Sequence, residues 1–462
     1  MVGEWQTVPF GNLYAIPSRN GLTKPKRVRG EGCKFINMGE IFAFGRMQSI
    51  PCDRVPITEK ELDNSLLEIG DLLFARQSLV LSGAGKCSIF LGDEEPVVFE
   101  SHLIRVRPDT GIIDPEYLFY YFNSPIGRSE IWSITEQGAG QAGIRGSDLE
   151  TIDVSFPGKE EQKKIVKILS ALDEKIELNR QMNATLESMA QALFKSWFVD
   201  FDPVIDNALA AGNSIPDSLH ARAEIRKALD DKRKPLPEAL QKQFPSRFVF
   251  SEEMGWIPEG WEVKPLADFG RIICGKTPSK AKTEYFGTDI PFIKIPDMHK
   301  SMFVVEPIEF LSNLGARSQV KKMIPRGSTC VSCIATVGKV VITTKESQTN
   351  QQINSIVPKE AYLTPYLYFY MLTLEKHFHD LASGGSATLN MNTSTFSKIG
   401  LLRSGPQEIE LFYTKVGSLL QKIEDNLNQI TYLKNLRDTL LPKLLSGQLR
   451  IPDAEKMVAD AV

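Results

Sequence analysis

The chain has 462 residues, 42% apolar and 24% charged, enough for two or three domains with sizeable cores. No apolar run reaches the ~18–20 residues of a membrane span, and the opening Met1-Val2-Gly3-Glu4-Trp5 is too polar for a signal peptide, so a cytoplasmic protein is expected. A net charge of −3 excludes a uniformly basic nucleic-acid binder and confines any such role to local patches.

Residues 1–156 read as short strands at 35–38, 71–75, 88–91 and 103–106, broken by Gly, Pro and Asp and followed by a short aromatic helix at 115–122. After Pro157-Gly158 a long helix runs to about residue 199, with Glu160 and Glu161 suited to its N-terminal dipole. Ile165, Ile168, Leu172, Ile176, Asn179, Met182, Leu186, Met189 and Leu193 recur at the three- and four-residue spacing of a coiled-coil stripe. Residues 201–255 read as a Pro-rich, charged linker with one short helix at 218–229; the run Asp230-Asp231-Lys232-Arg233-Lys234 reads as solvated surface. Residues 256–405 repeat the first order, with strands at 290–295, 329–334, 340–343 and 353–357. A second long helix begins after Gly405-Pro406 and stops near Ser446-Gly447, with the stripe Val416, Leu420, Ile423, Leu427, Ile430, Leu433, Leu436 and Leu440. Asn179 and Asn426 occupy homologous positions on or beside the stripes, where a polar side chain lowers stability but fixes register. Two matched stripes favour mutual pairing over two helices that each cap a domain, and residues 451–462 are left as a tail.

The two halves match residue by residue. Trp5-Gln6-Thr7-Val8-Pro9 returns as Trp261-Glu262-Val263-Lys264-Pro265, an offset of 256 (261 − 5). Gly70-Asp71-Leu72 returns as Gly327-Ser328-Thr329, Gly85-Lys86 as Gly338-Lys339, Pro115 as Pro365, and Lys175-Ile176-Glu177 as Lys422-Ile423-Glu424; the offset drifts through 257, 253 and 250 to 247. One unit is used twice with diverged surfaces, which suits holding two related but different things.

Catalytic constellations are missing from the sequence. Six scattered cysteines suit a reducing cytosol, and Cys330-x-x-Cys333 has no second pair to complete a zinc site, so it reads as strand core. The five histidines form no H-E-x-x-H; His377 and His379 read as surface, and no G-x-S-x-G occurs. The Gly85-Lys86 turn lacks the phosphate-loop pattern, with Val80 and Cys87 where Gly and Ser or Thr are needed; in the other half the slot reads Ala335-Thr336-Val337-Gly338-Lys339-Val340. Both are strand-connecting turns in which Gly supplies an unusual backbone angle. No amino-methyltransferase N/D-P-P-Y/F motif is present, and Pro296-Asp297 lacks the partners of a nuclease site. No catalytic residue, metal or cofactor is expected: the chain is built to bind.

Two basic, turn-rich segments follow Trp5 and Trp261. One spans 19–34 with Lys24, Lys26, Arg27 and Arg29; the other spans 276–300 with Lys276, Lys280, Lys282 and Lys294. Clustered cations gain from counterion release on duplex DNA. Amide and guanidinium groups that read base edges are available at Arg76, Gln77, Gln141, Arg145, Asn350, Gln351 and Gln352. Gly138-Ala139-Gly140 and Gly384-Gly385-Ser386 are loops able to approach a backbone closely. Each residue taken singly reads more readily as structure than as a base contact; the paired placement of the segments carries more weight.

Four stretches carry a family resemblance. Phe156-Pro157-Gly158-Lys159-Glu160-Glu161-Gln162-Lys163-Lys164-Ile165-Val166 leads to Leu172-Asp173-Glu174-Lys175-Ile176-Glu177-Leu178-Asn179. Leu193-Phe194-Lys195-Ser196-Trp197-Phe198-Val199-Asp200-Phe201-Asp202-Pro203 closes the helix, and Ile257-Pro258-Glu259-Gly260-Trp261 opens the second unit. Together they resemble the specificity subunit of type I restriction-modification systems, over nearly the whole chain. The resemblance implies an α+β architecture: two repeated mixed α/β target recognition domains (1–156 and 256–405), separated by helical regions (157–200 and 406–450) that pair as an antiparallel coiled coil. It implies that each domain reads one half of a split double-stranded DNA site, that two modification (methyltransferase) subunits are held on the helices, that restriction (endonuclease/translocase) subunits join, and that the chain itself is non-catalytic. Ile165, Leu172, Ile176, Asn179, Leu186, Leu193, Ile423, Asn426, Ile430, Leu433 and Leu440 would form the coiled-coil, partner-bearing set. One departure is that Glu161-Gln162 becomes Glu410-Leu411, so the helical regions differ as docking surfaces. A non-catalytic coiled-coil scaffold protein without DNA readout, or an enzyme with a cryptic site, stays open at this point.

Overall fold

The structure, a computed structural model, describes residues 5–138, 140–229, 236–382 and 390–461. It divides into two compact units, Met1–Glu177 with Tyr432–Val462, and Leu178–Thr431.

In the first unit a five-stranded sheet has the order Tyr14–Asn20, Leu103–Pro108, Leu72–Ala75, Cys87–Gly92, Arg46–Gln48, with only the last pair parallel. In the second the order is Gly270–Cys274, Ile353–Pro358, Thr329–Ser332, Val340–Thr343, Phe303–Val304, and again only the last pair is parallel. Each unit adds a three-stranded sheet with one antiparallel and one parallel pairing: Asp53–Val55, Cys33–Ile36, Val97–Phe99 in one, and Glu309–Leu311, Phe286–Ile293, Gln348–Thr349 in the other. The sequence repeat is therefore a repeat of topology. Leu72-Leu73-Phe74-Ala75 and Thr329-Cys330-Val331-Ser332 are buried along their whole lengths, as central strands covered on both faces must be. Cys330 and Cys333 enter different core clusters, and burial pushes both thiols up to about 12, so this C-x-x-C packs rather than ligates. Gly85 and Gly338 both have positive φ, 62° and 90°, as the turn reading requires.

Hydrogen bonds correct two details of the repeat. Tyr117 Oη donates to the Ser155 carbonyl, and Tyr366 Oη to the Leu402 carbonyl, from equivalent aromatic helices to equivalent strands. Tyr366 thus answers to Tyr117, and Pro365 to Glu116 rather than Pro115. Aromatic-rich stretches match almost as well one residue out of step; the phenol-to-strand bond sets the register. Gly158 and Gly405 likewise precede the two long helices, so Glu161-Gln162 answers to Glu408-Ile409, not Glu410-Leu411. The inequivalence remains. The buried Gln162 accepts from the Asp114 amide and donates to the Pro157 carbonyl, whereas Ile409 is plain core.

The helices Lys159–Phe198 and Pro406–Leu445 each span 40 residues. Buried positions on the first include Ile165, Leu169, Leu172, Ile176, Asn179, Asn183, Ala190 and Trp197, a heptad rhythm with half-buried Leu186 and Leu193 between; Ile168 and Phe194 are buried beside it. The expected stripe departs from it at three places: Ile168, Met182 and Met189 stand one residue before Leu169, Asn183 and Ala190; Ile168 is buried all the same, and Met189 is 53% exposed. Residues 179–183 and 426–429 contact in opposite directions, which makes the pairing antiparallel.

The segment read as a linker is folded. It holds helices Asp202–Ala211, Asp217–Leu229 and Glu238–Gln241 and a hairpin, Phe248–Ser251 with Gly255–Pro258. Phe201 turns the chain out of the long helix in the left-handed region (φ 56°) and packs against Trp261 with ring centroids 5.7 Å apart. Its burial offsets the ~1–2 kcal/mol such a backbone costs. Asp202, nearly inaccessible, takes paired 2.7 Å bonds from Arg222 and a third from Ser196. The charged run 230–234 lies outside the described residues.

Candidate nucleic-acid interface

In the first unit, strand Gln77–Ser78 lies beside the hairpin Glu136–Gly138 and Gln141–Gly143. The Arg76 amide donates to the His102 carbonyl at 2.8 Å, and the Arg76 carbonyl accepts from the Ile144 amide at 2.9 Å. This backbone lacing brings four sequence-predicted residues, Arg76, Gln77, Gln141 and Arg145, to the lining of one open cleft of about 210 Å³. Arg145 pairs with Glu136 at 2.8 Å, both well exposed. Such a pair contributes ~0–1 kcal/mol, so the guanidinium can be traded to another acceptor at little cost. The cleft gathers amide and guanidinium donors, with Gln77 and Gln141 on strands and Arg76 and Arg145 just beyond them.

The basic segment of this unit is only partly available. Lys24 is held by Glu61 at 2.8 Å, and Arg29 by Asp53 at 3.1 Å while it lies over the Phe35 ring. Lys26 and Arg27 are exposed, and Arg27 borders a second hollow shaped by Gly30 and Gly32.

In the second unit, Gly275 packs so tightly on the Thr349–Asn350 backbone that an added Cβ would lie 2.1 Å from the Asn350 carbonyl oxygen. That contact sets the turn from which the second basic segment departs, the counterpart of the tight approach of Gly21 to Phe99. Lys276 and Lys280 are exposed. Lys282 donates to Tyr285 Oη at 3.0 Å and covers its ring. Lys294 is engaged by Glu309 and sits over Phe292. Asn350 is only 7% exposed and donates to Gln352 Oε1 at 2.9 Å. Gln351 is exposed and accepts from Thr277 at 2.7 Å, which brings it beside the Lys276–Lys280 turn. Gly384, Gly385 and Ser386 lie outside the described residues. The two units do not share a cleft chemistry. The bonds made by Arg76 recur at Cys333, whose amide donates to Gln352 and whose carbonyl accepts from Met391; Cys333 and Ile334 therefore stand where the first unit has Arg76 and Gln77.

The helical seam carries polar fixings that hydropathy did not reveal. In the first unit Asp173 accepts from Arg437 at 2.6 Å and from Tyr120 Oη at 2.8 Å. In the second, Asn179 donates to Gln429 at 2.8 Å, Arg326 grips Glu424 with two 2.6 Å bonds, and Tyr368 Oη donates to Glu187 at 2.7 Å. Of the residues expected in the seam, Ile165, Leu172, Ile176, Asn179, Ile423, Asn426, Ile430, Leu433 and Leu440 are buried, and Leu186 and Leu193 are half-buried. Asn183 was missed because it is polar; only its place in the heptad rhythm marks it. Among the described residues no cluster of His, Cys, Asp and Glu could hold a metal ion, and no helix is long and apolar enough to cross a membrane.

A lobe built twice on one topology, with different side chains in equivalent places and joined to paired helices, defines a two-lobed binding protein. The family described as "Type I restriction modification DNA specificity domain" matches residues 3–188 and again 258–402. The chain is 41% identical over 402 residues to the type I restriction enzyme HindI specificity subunit of Haemophilus influenzae, covering 82% of this chain and 86% of that protein. It is 25% identical over 411 residues to the MjaIX specificity subunit of Methanocaldococcus jannaschii, covering 86% and 82%. Its fold matches the crystal structure of a type I S subunit from M. genitalium with TM-score 0.53, over 96% of both chains, at 15% identity. The chain belongs to the family of type I restriction-modification specificity subunits.

Proposed function

We propose that this chain gives a cytoplasmic type I restriction-modification complex its DNA sequence specificity without catalysing any step itself. Each lobe reads one half of a bipartite duplex target. The paired helices carry two modification subunits, and restriction subunits join that core. The observation that carries this reading is the divergence within a strict repeat: Arg76 and Gln77 in one lobe against Cys333 and Ile334 in the other, directly after equivalent central strands, with Arg76 and Cys333 laced by the same backbone bonds. Two lobes of one topology and different reading chemistry suit two unlike half-sites. In the first lobe Arg76, Gln77, Gln141 and Arg145 act at base edges, with Lys26 and Arg27 at phosphates. In the second, Lys276, Lys280 and Lys282 act at phosphates and Gln351 at a base. An electrophoretic shift on the methylated motif of the host genome, with and without the modification subunits, tests this. Sequence-selective retardation by the assembled complex is expected; equal affinity for scrambled duplex would leave a scaffold without DNA readout.

A further inference from the structure

The repeat offset falls from 257 at Arg76/Cys333 to 253 at Gly85/Gly338. Eight residues (77–84) therefore stand in the first lobe where four (334–337) stand in the second, a difference of four. The extra length is apolar and projects: Leu79 is 82% exposed, Val80 59% and Leu81 38%, whereas the shorter connection in the second lobe buries Val337. The loop is held in shape. Ser78 Oγ accepts from the Val80 amide at 3.2 Å, a single turn of 3₁₀ helix closes Leu81–Gly83, and the Arg128 guanidinium donates to the carbonyls of Ser82, Ala84 and Gly85. Gly83 is packed against Ser78 and Phe42 with no room for a Cβ, which fixes the base of the loop. Three aliphatic side chains on a braced loop are costly to leave in water, and they start two residues from Gln77 in the cleft.

We infer that the Leu79–Val80–Leu81 loop is a base-reading element of the first lobe and packs on the 5-methyl group of a thymine in its half-site. This rests on the reading of that lobe as a DNA-binding lobe. The flanking Arg76 and Arg145 suit a polyanion rather than a protein. Donors matched to base edges place the loop in the major groove, where the thymine methyl is the apolar feature on offer. The second lobe lacks the loop and reads its half-site without this contact.

The test uses the full chain assembled with its modification subunits and a duplex bearing the genomic motif, with the first lobe's half-site identified by lobe exchange. Each thymine of that half-site is replaced in turn by deoxyuridine, which removes only the methyl. At one position wild-type affinity falls about fourfold, the worth of one buried methyl group; the Leu79→Ser complex binds thymine and deoxyuridine duplexes equally and matches the weakened value. Replacements in the other half-site have no such effect. The inference is overturned if deoxyuridine is neutral throughout while sequence-selective binding persists, if Leu79→Ser retains the methyl preference, or if the half-site has no A·T pair. A 2-aminopurine signal showing unstacking at the loop, without methyl dependence, would make it a wedge and equally overturn it. Absence of any sequence-selective binding by the wild-type complex would instead fail the DNA-reading function.

Discussion

Asn426 donates its side-chain amide to Asn183 Oδ1 at 2.8 Å, one turn from the Asn179–Gln429 bond in the seam between the long helices. Asn426 is 1% exposed and Asn183 9%, so neither amide can turn to water when its partner is lost. Asn183→Leu alone is expected to destabilise the second unit by about 1–3 kcal/mol through the orphaned amide, and Asn426→Leu similarly. The double Leu variant should recover most of this loss while register is less tightly specified. Urea unfolding of the four proteins gives the coupling energy; additive single effects would mean that the pair does not act as a unit.

Acid should loosen the segment after the first long helix. Burial pushes the Asp202 carboxyl up, but hydrogen bonds from Arg222 and Ser196 and the charges of Arg226 and Arg222 outweigh it and hold the group below its ordinary range. A depressed folded pKa contributes stability that is present above the unfolded value of ~3.9 and is lost as pH falls through the folded one. Asp202→Asn should cost about 1.5–3 kcal/mol at neutral pH and flatten the loss below about pH 4. Unfolding titrations at stepped pH check both; an unchanged acid limb would show that Asp202 does not control it.

Glu408 has the opposite sign. Burial raises its carboxyl above the ordinary value, even though Trp261 Nε1 donates to it at 3.3 Å. Its charge therefore opposes folding at neutral pH, and the opposition fades as pH falls toward the unfolded value of ~4.3. Glu408→Gln keeps an acceptor for Trp261 and removes the buried charge, so a higher melting temperature at pH 7 and a smaller difference near pH 4 are expected. A lower melting temperature at pH 7 would contradict this.

The residues show why some of this was legible in sequence and some not. Central strands such as Leu72–Ala75 and Val340–Thr343 are apolar on both faces, so composition alone marks them. Tyr14–Asn20 is a mostly exposed edge strand, and nothing in its side chains distinguishes it from loop. In the seam, apolar Met189 faces out and polar Asn183 faces in, so hydropathy misleads where strict heptad counting would not. Arg76, Gln77, Gln141 and Arg145 were recognisable by type, but only the bonds between Arg76 and Ile144 and within the hairpin bring them together. The aromatic run Trp197 to Phe201 reads as motif; folding reveals its work, a left-handed turn sealed against Trp261 and Phe248.

Phosphate and base contacts should separate on a salt titration. Lys280→Ala should lower the slope of log K against log salt by about one with sequence preference intact. Gln141→Ala should cost about 1–3 kcal/mol on the cognate duplex and relax preference at one position with the slope unchanged. Reversed behaviour would exchange their roles, and indifference of both would move the DNA face elsewhere on the lobes.

The central claim is that two lobes of one fold read two independent half-sites. Replacing residues 261–405 with the corresponding segment of another specificity subunit, and sequencing the methylated motif in cells, tests it most directly. The motif should change in one half only, with the half read through Arg76 to Arg145 preserved. A motif altered in both halves, or in neither, would contradict it.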